Sequence, residues 1–200
     1  MSIDELLPRD TAAVRGAREV AHLYSSPSLF NHSARSYLWA ASLGRSEGLD
    51  FDAELLYVAA LMHDLGLVEA FDSHRTAFEE AGGDVGWVLA AGAGWPEPRR
   101  VRVKEIVVRH MWDTVDPATD AEGYLLHAAT SLDISGRRAE AWSAELQAEV
   151  LRAHPRLNLP DEFLAAFEDQ AERKPGCAAA AAIASGLAGR MAQNPLDRPA

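Results

Sequence analysis

Cysteine is nearly absent from this chain of 200 residues, with Cys177 as its one example. A single thiol can form neither an intramolecular disulfide nor a thiolate metal cluster. Two catalytic or cofactor motifs are also missing, because the sequence has no GxGxxG after a strand and no HExxH. Its GxSxG match, GRSEG at 44–48, follows no strand and falls at the end of a predicted helix. These absences exclude a disulfide scaffold, a dinucleotide-binding domain and an HExxH metalloprotease. The helical setting of GRSEG argues against a nucleophile-elbow hydrolase, whose serine lies in a turn between a strand and a helix.

Positive charge is scarce. The 19 Lys and Arg residues are outnumbered by 30 Asp and Glu residues, which gives a formal net charge of −11 and a pI near 5.0. This balance opposes broad attraction to nucleic acid or anionic lipid. The one dense cationic stretch, RRVRVK at 99–104, is interpreted as a solvated helix face that pairs with nearby acids. We therefore expect neither nucleic acid nor a membrane among the partners.

Long apolar segments are missing as well. The N-terminal MSIDELLPRD has acids, and it lacks the basic flank and apolar core of a signal peptide. The Ala-rich CAAAAAIASGLAG at 177–189 is shorter than the roughly 20 apolar residues that cross a bilayer. With 48 % apolar and 24 % charged residues, the composition is that of an ordinary globular protein, and we expect it in the cytoplasm.

Helical periodicity dominates the sequence, and no segment alternates with the period-two pattern of a strand. Residues that favour helix ends divide the pattern: Asp10, Ser28 and Asp52 are predicted N-caps, Gly48 ends one helix, and the Gly-Gly pair at 82–83 closes another. A single all-α domain follows. The predicted helices span about 10–24, 28–48, 52–66, 72–82, 84–91, 96–112, 120–135, 138–153, 158–174 and 177–189.

The stretch ALMHDLGL at 60–67 places two polar side chains, His63 and Asp64, inside an apolar run. Burying a polar group without a partner costs roughly 2–7 kcal/mol, so something must satisfy the pair. Adjacent helical residues point about 100° apart, yet both can reach an ion seated at the helix edge. The partial negative charge at a helix C-terminus also favours a cation there. The pair is therefore interpreted as half of a metal site.

Two further polar residues lie in apolar helical settings. His32 belongs to LFNHSARSYLWAASLG, about thirty residues before the His-Asp pair, and Asp133 belongs to LLHAATSLDISG, about seventy residues after it. Imidazole is the commonest biological metal ligand, and carboxylates complete many hydrolytic sites. Four such residues strengthen the metal interpretation considerably.

The order of these four residues resembles the H…HD…D pattern of the HD-domain superfamily of metal-dependent hydrolases. The similarity is closer to the cyanamide hydratase-like branch and spans about 28–195. The segments that carry it are LFNHSARSYLWA, AALMHDLGL, FEEAGG, EIVVRH and the closing NPLD. The resemblance implies an HD-type helical bundle over 1–200, with 1–27 as an N-terminal helical extension.

The resemblance also implies a ligand set for a divalent metal ion: His32, His63, Asp64 and Asp133. Zn²⁺ is the expected ion, with Fe or Mn as alternatives. His110, at the end of EIVVRH, is placed in the same pocket. Its role stays open among a further ligand, a substrate contact and a proton shuttle.

Asp64 and His110 are accordingly the predicted catalytic residues. The plainer alternative for His110 is a cation at a helix C-terminus. His74, in the charged DSHRTAFEE, is expected to be solvated or hydrogen-bonded. His127 lies six residues before Asp133, about 600° around the helix, so we expect it in the core or behind the ligands.

A divalent cation held by three or four N and O ligands keeps one position open for water, and Zn²⁺ lowers the pKa of that water to about 7. Such water could attack a nitrile-like carbon or a phosphorus ester. The resemblance favours hydration of a small nitrile such as cyanamide, which yields urea. The scarcity of cations near the ligands agrees, since phosphates usually meet Arg or Lys clamps; Arg35, Arg75 and Arg109 remain candidates for such a clamp.

Two other classes remain besides an HD-type phosphohydrolase. A di-iron HD oxygenase needs two additional histidines between the His-Asp pair and the last Asp; His110 fits, whereas His74 lies earlier than that pattern expects. A non-enzymatic binding or regulatory module would not need an open metal position, so the complete set of four argues against it. We expect a small-molecule substrate, and self-association into a homo-oligomer is left open.

Overall fold

Helices joined by turns and loops make up the described part of the chain, residues 2–197 of a computed structural model, which contains no β-strand. The prediction of an all-α helical bundle is confirmed. Within those residues no helix is long and apolar enough to cross a membrane. The α-helices are α1 (Ala12–Tyr24), α2 (Pro27–Glu47), α3 (Ala53–Met62), α4 (Phe78–Gly92), α5 (Glu97–Arg109), α6 (Ala121–Ser135), α7 (Ala144–Ala153), α8 (Leu159–Arg173), α9 (Ala178–Ala184) and α10 (Leu187–Ala192).

Side-chain caps define where the first three helices begin. The predicted cap Asp52 is confirmed, because its carboxylate accepts the Leu55 N–H at 3.0 Å. The other two predicted caps are each one or two residues away from the observed ones: Thr11 caps α1 and Ser26 caps α2. Asp10 instead pairs with an arginine, and the Ser28 hydroxyl donates to a glutamate of α8.

Gly82 and Gly83 do not end a helix. They lie inside α4, which replaces the two helices predicted at 72–82 and 84–91. A Cβ at Gly82 would stand 2.8 Å from the carbonyl oxygens of Met62 and His63. The glycine therefore permits α4 to pack closely against the end of α3. The prediction that this glycine pair closes a helix is wrong.

Four other predicted helices are shorter in the structure. α3 ends at Met62 rather than at 66. α5 ends at Arg109 rather than at 112. The segment predicted as helical at 138–153 begins with Arg138 at a φ of 56° and a 3₁₀ turn, so that α7 starts only after its cap Ser143. The Ala-rich segment forms two helices, α9 and α10, because Gly186 adopts a φ of 85° between them.

α2 and α3 occupy the centre of the bundle. Every residue at 55–66 is buried, and α2 packs against both α3 and α6. Each fully buried Leu, Val or Met side chain contributes about 1.5–3 kcal/mol of hydrophobic stabilisation. The His63-Asp64 pair thus stands at the end of the most deeply buried helix. α1 packs on α3 as well; whether 1–27 is best regarded as an extension stays a prediction.

A second, smaller apolar cluster lies apart from this core. It joins Phe78 and Ile134 to the C-terminal helices α8, α9 and α10 through residues such as Phe163, Phe167 and Leu187. α8 packs against α2 and α10 packs against α6, while Leu67 and Met111, which follow α3 and α5, contact the cluster. The C-terminal part of the chain therefore covers the place where the candidate ligands meet.

Candidate metal centre

Three ligand-type side chains converge in the interior of the bundle. His32 projects from the second turn of α2, while His63 and Asp64 follow the last residue of α3. The two Nε2 atoms are 3.2 Å apart, and the Asp64 Oδ2 lies 3.2 Å from the Nε2 of His32 and 3.1 Å from that of His63. All three residues are buried. Within residues 2–197, they form a group whose ligand atoms lie within 4.8 Å of one another.

The end of α3 explains how two adjacent residues share this centre. His63 is the C-cap residue and keeps helical angles, whereas Asp64 has left the helix with φ −103° and ψ 5°. This change of direction removes the 100° separation that a continuous helix would impose on neighbouring side chains. Both side chains consequently reach the same point.

The histidines use Nδ1 for their outer hydrogen bonds, so that Nε2 of each ring faces the other ring and Asp64 at the centre of the group. His32 uses Nδ1 to contact a carboxylate oxygen of Asp133 at 2.7 Å, and His63 uses Nδ1 to donate to the Ala60 carbonyl at 2.7 Å. Because a carbonyl or carboxylate oxygen accepts, each Nδ1 carries the proton. Both Nε2 atoms then remain available to hold a cation. Such an outer partner on Nδ1 is usual for metal-binding histidines.

The Asp64 carboxylate supplies the test of whether a metal fits. Both of its oxygens are buried, and neither has a hydrogen-bond partner in the described part of the chain. An ionised carboxylate without any partner is costly in a protein interior, so the position calls for positive charge. Two imidazole nitrogens and one carboxylate are suitable ligands for Zn²⁺ and for other divalent transition metals.

Asp133 occupies a different position from the three residues above. Its carboxylate accepts two hydrogen bonds from Arg35, at 2.8 and 2.7 Å, and one from the Trp39 indole at 2.9 Å, besides its contact with His32. Arg35 and Asp133 are both completely buried. The structure brings Asp133 to the outer side of the His32 ring, where its oxygens are already engaged by donors.

The pKa values reflect this excess of negative charge. Burial raises the pKa of Asp133, but Arg35 and His32 outweigh it and hold that pKa well below 3.8. Burial also raises the pKa of Asp64, which His63 and His32 nevertheless bring below its ordinary value. For His32, burial lowers the pKa and the two aspartates raise it more. The centre attracts a proton in the absence of a metal, and for the same reason it favours a divalent cation.

His110 lies beside this group at the end of α5. Its Nδ1 donates to the Val107 carbonyl, its Nε2 is 4.0 Å from the Asp64 Oδ1, and its ring centroid is 4.9 Å from that of His63. Burial, followed by the nearby charge of His63, lowers the pKa of His110 to about 3. His110 is therefore a neutral imidazole at physiological pH, with Nε2 directed toward the candidate ligands.

A cavity of about 560 Å³ opens onto the centre, with His32, His63, Asp64 and His110 among its lining residues. One side of its wall is polar and comes from α6, where His127, Thr130 and Ser131 recur at helical spacing. The rest of the wall is largely apolar. Its apolar residues include Met111, Trp112, Ile134, Phe163, Phe167 and Leu187.

Several of these wall residues were not predicted from the sequence. His127 was expected in the core or behind the ligands, yet it lines the cavity and contacts the His110 carbonyl through Nδ1 at 3.2 Å. The spacing of His127, Thr130 and Ser131 was the available signal, because a polar stripe on an otherwise apolar helix needs a polar environment. His74 is exposed in the loop between α3 and α4, away from the ligands.

The arginines considered as phosphate clamps do not line this cavity. Arg35 is buried against Asp133, and Arg109 pairs with Asp120 at 2.6 Å. Arg75 is exposed in the loop that also carries His74. The cations that do line the cavity are Arg137 and Arg190.

Comparison with known proteins places this geometry in a family. The HD domain family model matches residues 29–156, which is more than half of the chain and includes every predicted ligand as well as His110. The chain belongs to the HD domain family. Its similarity to proteins of named activity is moderate: the cyanamide hydratases DDI2 and DDI3 of Saccharomyces cerevisiae are each 26 % identical to it over 172 residues, covering 84 % of this chain and 76 % of each yeast protein.

Family membership and the ligand group agree on the general chemistry. This HD-domain protein is a metal-dependent hydrolase or hydratase that uses a divalent ion. A bound divalent cation activates water and polarises an electrophile. The cavity beside the ligands provides the space in which a small molecule can meet that water.

Proposed function

We propose that this protein hydrates a small nitrile, with cyanamide, which would yield urea, as the first candidate. The observation that carries the proposal is the unpartnered Asp64 carboxylate, which faces two free imidazole nitrogens at the bottom of a cavity. The yeast relatives, named as cyanamide hydratases, supply the substrate class.

His32, His63 and Asp64 are proposed to hold the divalent ion, and Asp133 is either a fourth ligand or the residue that orients His32. When bound, the ion supplies an activated water and polarises the nitrile. Asp64 supplies the negative charge that balances the ion. His110 accepts a proton from the water at Nε2 and passes it to the nitrile nitrogen. Because its pKa is lowered, His110 holds that proton only briefly.

The reaction is balanced without any further reagent. A C–O bond forms between water and the nitrile carbon, and the C≡N triple bond loses its two π bonds in two successive steps. Both protons of the water end on the former nitrile nitrogen, which gives an amide, or urea from cyanamide. No oxidant or reductant is required, in contrast to the oxygenase alternative.

Metal analysis combined with turnover tests this proposal. We expect wild-type protein to bind one equivalent of a divalent metal and to produce urea from cyanamide. His63→Ala should lose both, since removing a direct ligand should weaken binding by more than the 10–100-fold typical of an outer partner. His74→Ala is the matched control: it removes an exposed histidine and should keep metal and turnover.

The same experiment separates the alternatives. Full metal occupancy in His63→Ala would overturn the ligand assignment. Loss of iron from His74→Ala would favour the di-iron oxygenase. Turnover of phosphate monoesters far above that of cyanamide would replace hydration by phosphohydrolysis and would leave the metal centre in place.

A further inference from the structure

The cavity is larger than cyanamide requires. Its volume of about 560 Å³ falls in the range of roughly 300–1,000 Å³ that is typical of sites for drug-sized ligands. Cyanamide has no apolar portion, so it would leave side chains such as Phe163, Phe167 and Leu187 without a contact. The apolar wall therefore indicates a substrate with an apolar body.

One arginine that lines the cavity has no anionic side chain as a partner within residues 2–197. Within residues 2–197, the Arg137 guanidinium is exposed and makes no hydrogen bond or ion pair with another residue. The neighbouring Arg138 contrasts with it, since it bonds to the Tyr124 hydroxyl at 3.1 Å and to Glu47 at 3.4 Å. The chain has 30 acidic residues, so the missing partner of Arg137 does not result from a lack of carboxylates.

Local geometry fixes where Arg137 stands. Gly136 ends α6 with a φ of 70°, and the Arg137 N–H then donates to the Ser131 carbonyl at 3.4 Å. A Cβ at Gly136 would stand 2.3 Å from the Cδ of Pro195, so the turn is closely packed. The partial negative charge at the C-terminal end of α6 stabilises the Arg137 cation, so that no carboxylate partner is needed. Arg137 is thus held at the cavity with its donors unused.

We propose that the cavity takes a nitrile with an apolar body and a terminal carboxylate, which Arg137 binds at the cavity mouth. The nitrile end would lie at His32, His63 and Asp64. The nitrile part rests on the proposed function, whereas the carboxylate site does not. A guanidinium offers two parallel N–H groups that match a carboxylate.

A carboxylate fits this wall better than a phosphate. The second cation of the cavity, Arg190, already donates to the carbonyl and the hydroxyl of Ser185. Arg137 is therefore the cavity guanidinium with all of its donors unused, and its parallel N–H groups match the two oxygens of one carboxylate. A phosphate group carries more charge and is usually met by several donors.

Isosteric substrates test the proposal on metal-loaded protein. Para-cyanobenzoate and para-cyanobenzamide have the same shape and differ in charge. We expect wild-type kcat/KM to be about 10- to 100-fold higher for the carboxylate, as for a charge-assisted hydrogen bond, with most of the difference in KM. Arg137→Gln should abolish that preference, and Arg138→Gln, which removes the neighbouring paired cation, should retain it.

Binding without turnover separates this proposal from the proposed function. Calorimetry with para-toluate and para-toluamide, which carry no nitrile, should show preferential toluate binding that Arg137→Gln loses and Arg138→Gln keeps. Equal affinity of wild type and Arg137→Gln for toluate would overturn the carboxylate site, since the metal alone would then hold it. Tighter Arg137-dependent binding of phenyl phosphate would overturn the choice of carboxylate. Toluate binding through Arg137 with no nitrile turnover would reject the hydration reaction and support the site.

Discussion

The carboxylate of Asp133 is engaged by four side chains at once: His32, Arg35, Trp39 and Arg156. The bidentate arginine and the indole fix the carboxylate in one orientation, and the carboxylate in turn fixes the plane of the imidazole. Its effect on the metal would then be indirect. A direct ligand role, which the sequence resemblance implies, would require one of these oxygens to exchange a donor for the ion.

Asp133→Asn distinguishes the two roles. If Asp133 orients His32, we expect metal affinity to fall about 10–100-fold, as for other outer partners of metal ligands. The variant should also lose about 3–5 kcal/mol of unfolding free energy, because the buried Arg35 loses its counter-charge. Chelator competition and urea unfolding measure the two effects.

Asp120→Asn is the matched control for that experiment. Asp120 is also buried, and it pairs with Arg102 and Arg109 at 2.7 and 2.6 Å, but it caps α6 at the end opposite to Asp133. It should cost stability and leave metal affinity unchanged. Loss of metal from Asp133→Asn by much more than 100-fold would establish Asp133 as a ligand.

His110 makes the stability of the protein depend on pH. Burial and the charge of His63 lower its pKa from 6.5 to about 3, so below pH 6.5 the unfolded chain takes up a proton that the folded chain refuses. Stability must then fall as pH drops from 6.5 toward 3. We expect His110→Gln to flatten this decline between about pH 6.5 and 4.5, as measured by urea unfolding of chelator-treated protein. His22→Gln, an exposed replacement, is the comparison, and equal slopes for the two variants would contradict the prediction.

At the level of elements, the approach of α4 to the end of α3 determines where His63 lies. Gly82 allows this approach, because its missing side chain would collide with the backbone oxygens of Met62 and His63. Helix positions usually tolerate Ala better than Gly. Here the preference is reversed by tertiary packing.

Gly82→Ala should therefore destabilise the protein by about 1–3 kcal/mol, the usual cost of overpacking, and should weaken metal binding by displacing His63. Gly16→Ala in α1 supplies the opposite case, since nothing lies within 4 Å of its Cβ position. It should stabilise by about 0.5–1 kcal/mol. Thermal unfolding with and without added metal compares the two. Equal stabilities would show that α4 yields easily.

Two glycines, Gly48 and Gly82, show how much of the fold could be predicted from the sequence. Gly48 was correctly predicted as a helix end, because a left-handed terminal glycine leaves a local pattern. The prediction that Gly82 ends a helix is wrong. In the sequence, a glycine that permits close packing cannot be distinguished from one that ends a helix, because the difference depends on the neighbouring element. His63 and Asp64 were detectable as polar residues in an apolar run. Arg137 was not, because its place at the cavity depends on α8 and α10 folding back across the end of α6.

The whole molecule carries a net charge of −11, which should affect charged and neutral substrates differently. A neutral nitrile is not steered by the field of the protein. We expect kcat/KM for cyanamide to change by less than about twofold between low and physiological salt, where the Debye length falls from about 30 to 8 Å. Phosphate monoesters carry more negative charge than a single carboxylate and are repelled more strongly by the same field, so they should be poor substrates. A steep salt dependence with cyanamide would mean that a charged step limits the reaction.

Two different parts of the chain supply the candidate ligands and the apolar wall of the cavity. The candidate ligands all lie within 29–156, the region that matches the HD family, whereas α8, α9 and α10 follow it. Those later helices contribute Phe163, Phe167 and Leu187 to the cavity wall. Substitutions at Phe167 or Leu187 can reshape what the cavity admits without contacting the candidate ligands, whereas the Phe163 ring packs against His32 with its centroid 5.8 Å away. Substrate range in this protein is therefore free to diverge faster than its chemistry.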